Sequence, residues 1–322
     1  MKKYPFLSRL YRRTPIATTC AALILGFGSA CSDEVANDGN IASDKPFFSI
    51  VDDCGRQVSV YRKPETIVSL APSVSDMLVA LGATDKLRGV TKWCDRDEAA
   101  AVERIGDMMS PDLERIISLR PDLVLGTEMT PRHIYDTLES AGIPCIMFKH
   151  QGLQDVMDDM ASISAAMGEE ERGATVLRDM AKRRDELLAR VSQGTQGLKV
   201  ALLYDVEYMG SAGKGSWVDD MLSSIGLDNI ANRAASPWPR LSKEALLVEQ
   251  PDYIILALPL DEAEHESFRA KLRAFKEDSV WKQVHAINED RIVFVPANYL
   301  NIPGARTLDA MTFIAERVYG WQ

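Results

Sequence analysis

Two stretches decide the fold: "DLERIISLRPDLVL" at residues 112–125 and "SKEALLVEQPDYII" at residues 242–255. Offset by 130 positions, they place Glu114 on Glu244, Pro121 on Pro251 and Asp122 on Asp252, with apolar residues in the slots between. A second pair, "SDMLVALGATDKL" (75–87) and "DDMLSSIGLDNI" (219–230), aligns Met77 with Met221, Leu78 with Leu222 and Gly82 with Gly226 at an offset of 144. Two blocks repeated in the same order predict two lobes of related architecture.

Each half alternates short apolar runs with amphipathic ones. "TIVSL", "DLVLG" and "CIMF" in the first half, and "KVALLY", "DYIILAL" and "RIVFVP" in the second, read as buried strands. "SVSDMLVALGA", "SWVDDMLSSIGL" and "TLDAMTFIAERVYGW" read as helices. This alternation predicts an α/β fold with parallel sheets covered by helices and right-handed crossovers, a Rossmann-like lobe twice over. From Glu169 to Ser192 the chain has no proline and one glycine, an acidic first turn and basic later turns, which suits a helix macrodipole. Such a helix, about 35 Å long, is a stiff strut and not a coil linker. The division expected is an N-terminal lobe at 47–167, a linking helix at 168–194 and a C-terminal lobe at 195–322.

The N-terminus reads as a secretory signal. Lys2, Lys3, Arg9, Arg12 and Arg13 precede "PIATTCAALILGFG" and the small residues "GSAC". Cys31 fits the acceptor of a bacterial lipoprotein signal spanning 1–31, with Gly28 where leucine is usual, and cleavage after Ala30 is the alternative. Polar residues 32–46 follow as a flexible tether. The expected product is a lipid-anchored protein facing away from the cytoplasm, in the periplasm or at the cell surface. The chain's formal charge is −10, and loss of five basic residues leaves about −15, which argues against nucleic acid or anionic lipid as partners. Beyond Cys31, Cys54, Cys94 and Cys145 allow at most one disulfide and show no metal spacing.

In order, "VDDCGRQVSV", "IVSLAPSVSDMLVALGA", "PDLERIISLRPDLVLG" and "PWPRLSKEALLVEQPDYIIL" resemble the substrate-binding proteins of bacterial ABC importers for vitamin B12, haem and ferric siderophores, from about residue 48 to the end. The resemblance implies two α/β lobes joined by one long helix, a ligand held between them, and an ABC permease with its ATPase as partners of a protein acting as a monomer. It implies that Glu114 and Glu244 dock onto the permease. Asp112 and Ser242 read as N-caps, so dipole stabilisation of about 0.3–1 kcal/mol is the structural alternative for these acids.

Among the vitamin B12-binding members, the most similar in motif, "SPWPRLS" carries a pocket tryptophan, here Trp238 between Pro237 and Pro239. The same comparison places Met108 and Thr127 where aromatics occur, retains Tyr204 and Tyr208, and puts Asn298, beside Tyr299, where an acidic contact is expected. The same comparison puts Trp93 and Arg96 in a cleft-facing loop. Methionine, tyrosine and tryptophan suit a corrinoid. A ferric siderophore, strongly anionic, calls for convergent arginines, for which Arg96, Arg132, Arg240 and Arg306 are the candidates. Haem, held by a tyrosine or histidine, is the other alternative.

No cofactor is expected. His133, His150, His265 and His285 lack ligand-like spacing for a free metal. A Rossmann-like enzyme is the distant alternative, without G-x-G-x-x-G, G-x-S-x-G or H-E-x-x-H to support it. "GSAGKGS" (210–216) lacks phosphate-loop spacing and reads as a turn into a helix.

Overall fold

The computed structural model describes residues 45–194, 197–259 and 264–321. The signal, Cys31 and nearly all of the tether lie outside the described residues. An antiparallel hairpin, β1 (Phe48–Val51) and β2 (Gln57–Val60), comes first. The first lobe follows: β3 (Ile67–Ser69), α1 (Pro72–Ala80), β4 (Leu87–Val90), β5 (Glu103–Arg104), α2 (Leu113–Ser118), β6 (Leu123–Thr127), α3 (Arg132–Ser140), β7 (Cys145–Phe148) and α4 (Leu153–Ala166). Its five strands are parallel in the order β5-β4-β3-β6-β7. Every residue of β6 and β7 is buried, as expected of strands covered on both faces.

The second lobe contains β8 (Leu198–Leu203), α6 (Trp217–Ser224), β9 (Leu227–Asn229), α7 (Lys243–Glu249), β10 (Tyr253–Leu258), α8 (His265–Glu277), α9 (His285–Asn288), β11 (Ile292–Pro296), α10 (Ala297–Asn301) and α11 (Thr307–Val318). Its four strands are parallel in the order β11-β10-β8-β9. Between the sheets runs α5 (Glu170–Val191), one unbroken helix of 22 residues packed on α4 of one lobe and α11 of the other. Both lobes belong to one compact unit.

The repeated stretches turn out to be one structural unit used twice. Asp112 caps α2 by accepting from the Arg115 N–H at 3.0 Å, and Ser242 caps α7 by accepting from the Ala245 N–H at 3.1 Å. Each helix ends on a left-handed residue, Arg120 (φ 48°) and Gln250 (φ 45°), followed by the proline that forbids its continuation. The aspartate after the proline then clamps the next strand to its parallel neighbour. Asp122 Oδ2 accepts from the backbone N–H groups of Glu65 and Thr66 (3.0 and 2.9 Å), and Asp252 Oδ2 from that of Lys199 (2.8 Å). β6 is thereby fixed against β3, and β10 against β8.

Strand order reverses at these two pairs. After β3 the chain moves to β4 and β5, then returns to β6 on the other side; after β8 it moves to β9, then returns to β10. Crevices at the carboxyl ends of strands at such reversals are where open parallel sheets take ligands.

Candidate functional site

A cavity of about 510 Å³ lies between the carboxyl edges of the two sheets. From the first lobe it is lined by Pro72 and Ser73 at the start of α1, Met108, Thr127 at the end of β6 with Glu128 and Met129 after it, and His150 and Gln151 after β7. From the second come Tyr204 after β8, Gly215 to Trp217 at the start of α6, Trp238, and Asn301 and Pro303 near α10. The internal repeat extends into this wall. At an offset of 144, Ser216 and Trp217 fall on Pro72 and Ser73, and at an offset of 130 Trp238 falls on Met108. Each lobe thus supplies equivalent loops, with the larger side chains coming from the second.

Trp238 is 46% exposed, and its ring packs on that of Trp217 with centroids 4.7 Å apart and planes tilted by 58°. Its backbone is pinned on both sides, because the Gly213 N–H donates to the Pro237 carbonyl and the Ser211 N–H to the Pro239 carbonyl, each at 2.8 Å. Trp217 Nε1 donates to the Leu300 carbonyl at 3.1 Å, anchoring the inner ring to α10. Tyr204 lines the same cavity and packs against the hydrophobic core, and burial pushes its phenol far up, so it stays un-ionised. With Met108 and Met129 this makes an apolar, polarizable wall. Met129, 56% exposed, and Trp238 mark an open mouth.

The first lobe contributes the polar wall. Ser73 Oγ lies 3.1 Å from His150 Nε2, and His150 Nδ1 lies 2.7 Å from Asp159 Oδ2 on α4. Burial lifts the Asp159 carboxyl to about 6, against the lowering effect of its hydrogen bond with His150. Burial also raises the Glu128 carboxyl.

Of the residues singled out in the sequence, Met108, Thr127, Tyr204 and Trp238 are brought together on this cavity. The others lie elsewhere. Tyr208 is 62% exposed with the Arg240 guanidinium 4.9 Å over its ring. Trp93, 54% exposed, donates to Asp107 at 3.1 Å beneath the Lys92 ammonium. Tyr299 packs edge-on against Phe313 of α11. Arg96 and Asn298 join a charged network between the lobes: Arg96 Nη1 donates to Asp76 at 2.8 Å and Asn298 Nδ2 to Asp95 at 2.6 Å. Arg306 belongs to that network and Arg132 pairs with Asp136, so none of the four candidate arginines reaches the cavity. Trp217, Ser73 and His150 were not anticipated as wall residues. The sequence signal for the first two was the start of a helix directly after a strand or turn, the position that faces a strand-end crevice.

Glu114 and Glu244 both occupy the second position of their helices, exposed to solvent. Helices that precede parallel strands begin at the carboxyl edge of the sheet, so both acids stand on the cleft side of their lobes. Hydrogen bonding at the helix start, to its own backbone N–H and to Ser242, holds the Glu244 carboxyl below the usual range. Cys54, Cys94 and Cys145 are all free thiols, the first exposed and the others buried. No cluster of metal-ligating side chains and no helix long and apolar enough to cross a membrane occurs among the described residues.

The family model described as "Periplasmic binding protein" matches residues 67–299. The chain is 27% identical over 261 residues to the vitamin B12-binding protein of Vibrio parahaemolyticus, covering 78% of this chain and 88% of that one. It is 26% identical over 309 residues to an uncharacterized ABC transporter substrate-binding lipoprotein of Bacillus subtilis, covering 93% and 94%. A periplasmic haem-binding protein from Roseiflexus, solved in its apo form, superposes with a TM-score of 0.69 at 23% identity, covering 80% of this chain and 98% of that one; this likeness speaks for the fold. With the family model spanning most of the chain and a two-lobed cleft at the strand ends, the protein belongs to the periplasmic binding protein family, and is a substrate-binding protein of an ABC importer and not an enzyme.

Proposed function

We propose that this protein captures a corrinoid in the cavity between its lobes and delivers it to the permease and ATPase of an importer. The observation that carries the reading is the wall itself. Trp217, Trp238, Tyr204, Met108 and Met129 line it, and among the described residues no lysine or arginine does. A corrin has apolar faces and an edge of neutral amides, which such a wall solvates well. Haem carries propionates and ferric catecholates carry several negative charges, and desolvating an anion without a cationic partner is costly. The B12-binding relative points the same way. Part of a ligand larger than the enclosed volume would project through the open mouth.

Glu114 and Glu244, one per lobe on the cleft side, are the permease handles in this reading. Exposed Ile117 and Val248, one turn further along each helix, give both handles an apolar margin. Cys31 is the lipid anchor, in line with the lipoprotein relative that aligns over 93% of this chain.

Calorimetry against cyanocobalamin, cobinamide, haemin and a ferric hydroxamate tests the ligand. Corrinoids should bind tightest, and preference for haemin or the siderophore overturns the assignment. Charge reversal at Glu114 or Glu244 should abolish uptake in cells while leaving ligand affinity of the isolated protein within about twofold, since neither acid touches the cavity. Loss of ligand binding in either variant would remove that glutamate from the docking role.

A further inference from the structure

The cavity's polar wall holds three hydrogen-bonded side chains in series. Ser73, His150 and Asp159 form a continuous relay, Oγ to Nε2 at 3.1 Å and Nδ1 to Oδ2 at 2.7 Å, across 77 and 9 residues of chain. The His150 and Asp159 side chains are 4% and 7% exposed, and Ser73 and His150 both line the cavity. The order is that of a hydrolytic triad. In a protein that binds its ligand unchanged, what such a relay sets is the direction of one hydrogen bond.

A carboxylate only accepts, so with Asp159 ionised the proton between it and His150 sits on Nδ1. Neutral His150 then has a bare Nε2, and the Ser73 hydroxyl must donate to it. The serine oxygen is left with its lone pairs free. We propose that the Ser73–His150–Asp159 relay is the polar anchor of the cavity, presenting a hydrogen-bond acceptor to a neutral amide N–H of the ligand. Rejection of a carboxylate at the same point follows, because two acceptors would face each other. The inference rests on the corrinoid reading, which supplies the amide-edged ligand.

The anchor reverses with one proton. If the added proton goes to the imidazole, both ring nitrogens carry hydrogen. If it goes to Asp159, the acid donates to Nδ1 and the ring hydrogen moves to Nε2. In both cases Nε2 now donates to Ser73, whose hydroxyl turns outward as a donor. The charged groups around the pair are Asp53 in the β1–β2 turn, Asp155 on α4, Glu128 after β6 and Lys149 beside the histidine. With Asp159 titrating near 6, the acceptor form holds above that pH and is lost below it.

Two measurements on the full chain test this. Nitrogen-15 NMR of labelled histidine, with His150 assigned from the His150→Gln variant, should show the Nδ1-protonated neutral tautomer at pH 7.5. A neutral ring protonated on Nε2 at that pH overturns the proposal. Calorimetry with cyanocobalamin and with a derivative bearing one side-chain carboxylate should favour the amide form at pH 7.5, with affinity falling about three- to tenfold between pH 7 and 5. Ser73→Ala should lose a similar factor at pH 7.5 and flatten the pH profile. Unchanged affinity and slope in Ser73→Ala, with cyanocobalamin still bound, overturns the anchor alone. Absence of cyanocobalamin binding by the wild type overturns the ligand, and the anchor with it.

Discussion

Trp238 shows how a single residue becomes a binding surface. Two prolines restrict its backbone, hydrogen bonds to their carbonyls pin it, and Trp217 supports one side of the ring while the other faces the mouth. A rigid, half-exposed indole adds little to folding and much to binding, because no side-chain order remains to be imposed. Trp238→Ala should therefore weaken ligand binding by about 1–3 kcal/mol, roughly five- to a hundredfold, with little change in thermal midpoint. Trp217→Ala should lose both, since its indole also bonds the Leu300 carbonyl. Unchanged affinity in Trp238→Ala together with a lowered midpoint would make that ring a structural plug. The contrast between these tryptophans also shows what was legible. Proline on either side announces Trp238. Trp217 opens an amphipathic helix, and periodicity does not say which end of a helix faces a ligand. His150 looked idle as an isolated histidine because its partners come from other elements, Ser73 being 77 residues away.

Elements were more legible than sites, because helix caps, reversals and buried strands are written in local chemistry. The proline-aspartate step could be located from sequence, but its clamp across to β3 or β8 belongs to the sheet and became visible only with the strand order. The strut was readable from its charge gradient and lack of proline. Its contact with the first lobe was not. Gly173 lies on α5 where a Cβ would stand 2.2 Å from Ser164 Oγ and 2.4 Å from Ser164 Cβ on α4. Rotating the hydroxyl relieves only the first clash, so the helices must separate. Alanine raises helix propensity by up to about 1 kcal/mol over glycine, and overpacking costs about 1–3 kcal/mol. Gly173→Ala should be destabilising in chemical denaturation, and adding Ser164→Gly should recover most of the loss. A stabilised single variant would mean that α4 and α5 are free to move apart.

At the scale of the molecule, the repeat produces a reciprocal clasp. At the offset of 144, Asp76 on α1 corresponds to Asp220 on α6. Asp76 reaches into the second lobe, where its Oδ2 accepts from the Arg306 N–H at 3.0 Å at the start of α11. Asp220 reaches into the first, where its Oδ2 accepts from the Leu153 N–H at 3.3 Å at the start of α4. Gly304 and Gly152 make room, since a Cβ on either would stand within 2.6 or 2.3 Å of the aspartate. The last helix of each lobe is thus capped by the first helix of the other, and α5 holds the spacing. Both features limit hinge closure, so ligand should change the radius of gyration little.

The two clasps are symmetric in position but not in charge, and this separates their predicted behaviour. Asp76 is fully buried and also receives Arg96 Nη1 at 2.8 Å and Arg306 Nε at 2.7 Å. Arg306 continues to Asp95; burial pushes that carboxyl up, but hydrogen bonds from Arg306 and Asn298 hold it below the usual range. A depressed carboxyl contributes stability above its unfolded value near 4 and loses it only in stronger acid, so this side of the clasp is intact at neutral pH. Among the described residues no cation offsets the charge of Asp220, and burial raises its carboxyl. A raised carboxyl works in the opposite sense. Its contribution is present below the unfolded value and is lost as pH rises, so at neutral pH its charge is a cost. Asp76→Asn should then destabilise by about 3–5 kcal/mol at pH 7, because two partly buried guanidinium groups lose their shared counterion. Asp220→Asn keeps an oxygen for the Leu153 N–H, removes the unpaired charge, and should be neutral or mildly stabilising. Denaturant unfolding of both variants at pH 7 checks this, with small-angle scattering reporting whether Asp76→Asn opens the cleft. Equal losses in the two variants would mean that the clasps work through hydrogen bonding alone and that the arginine network adds nothing.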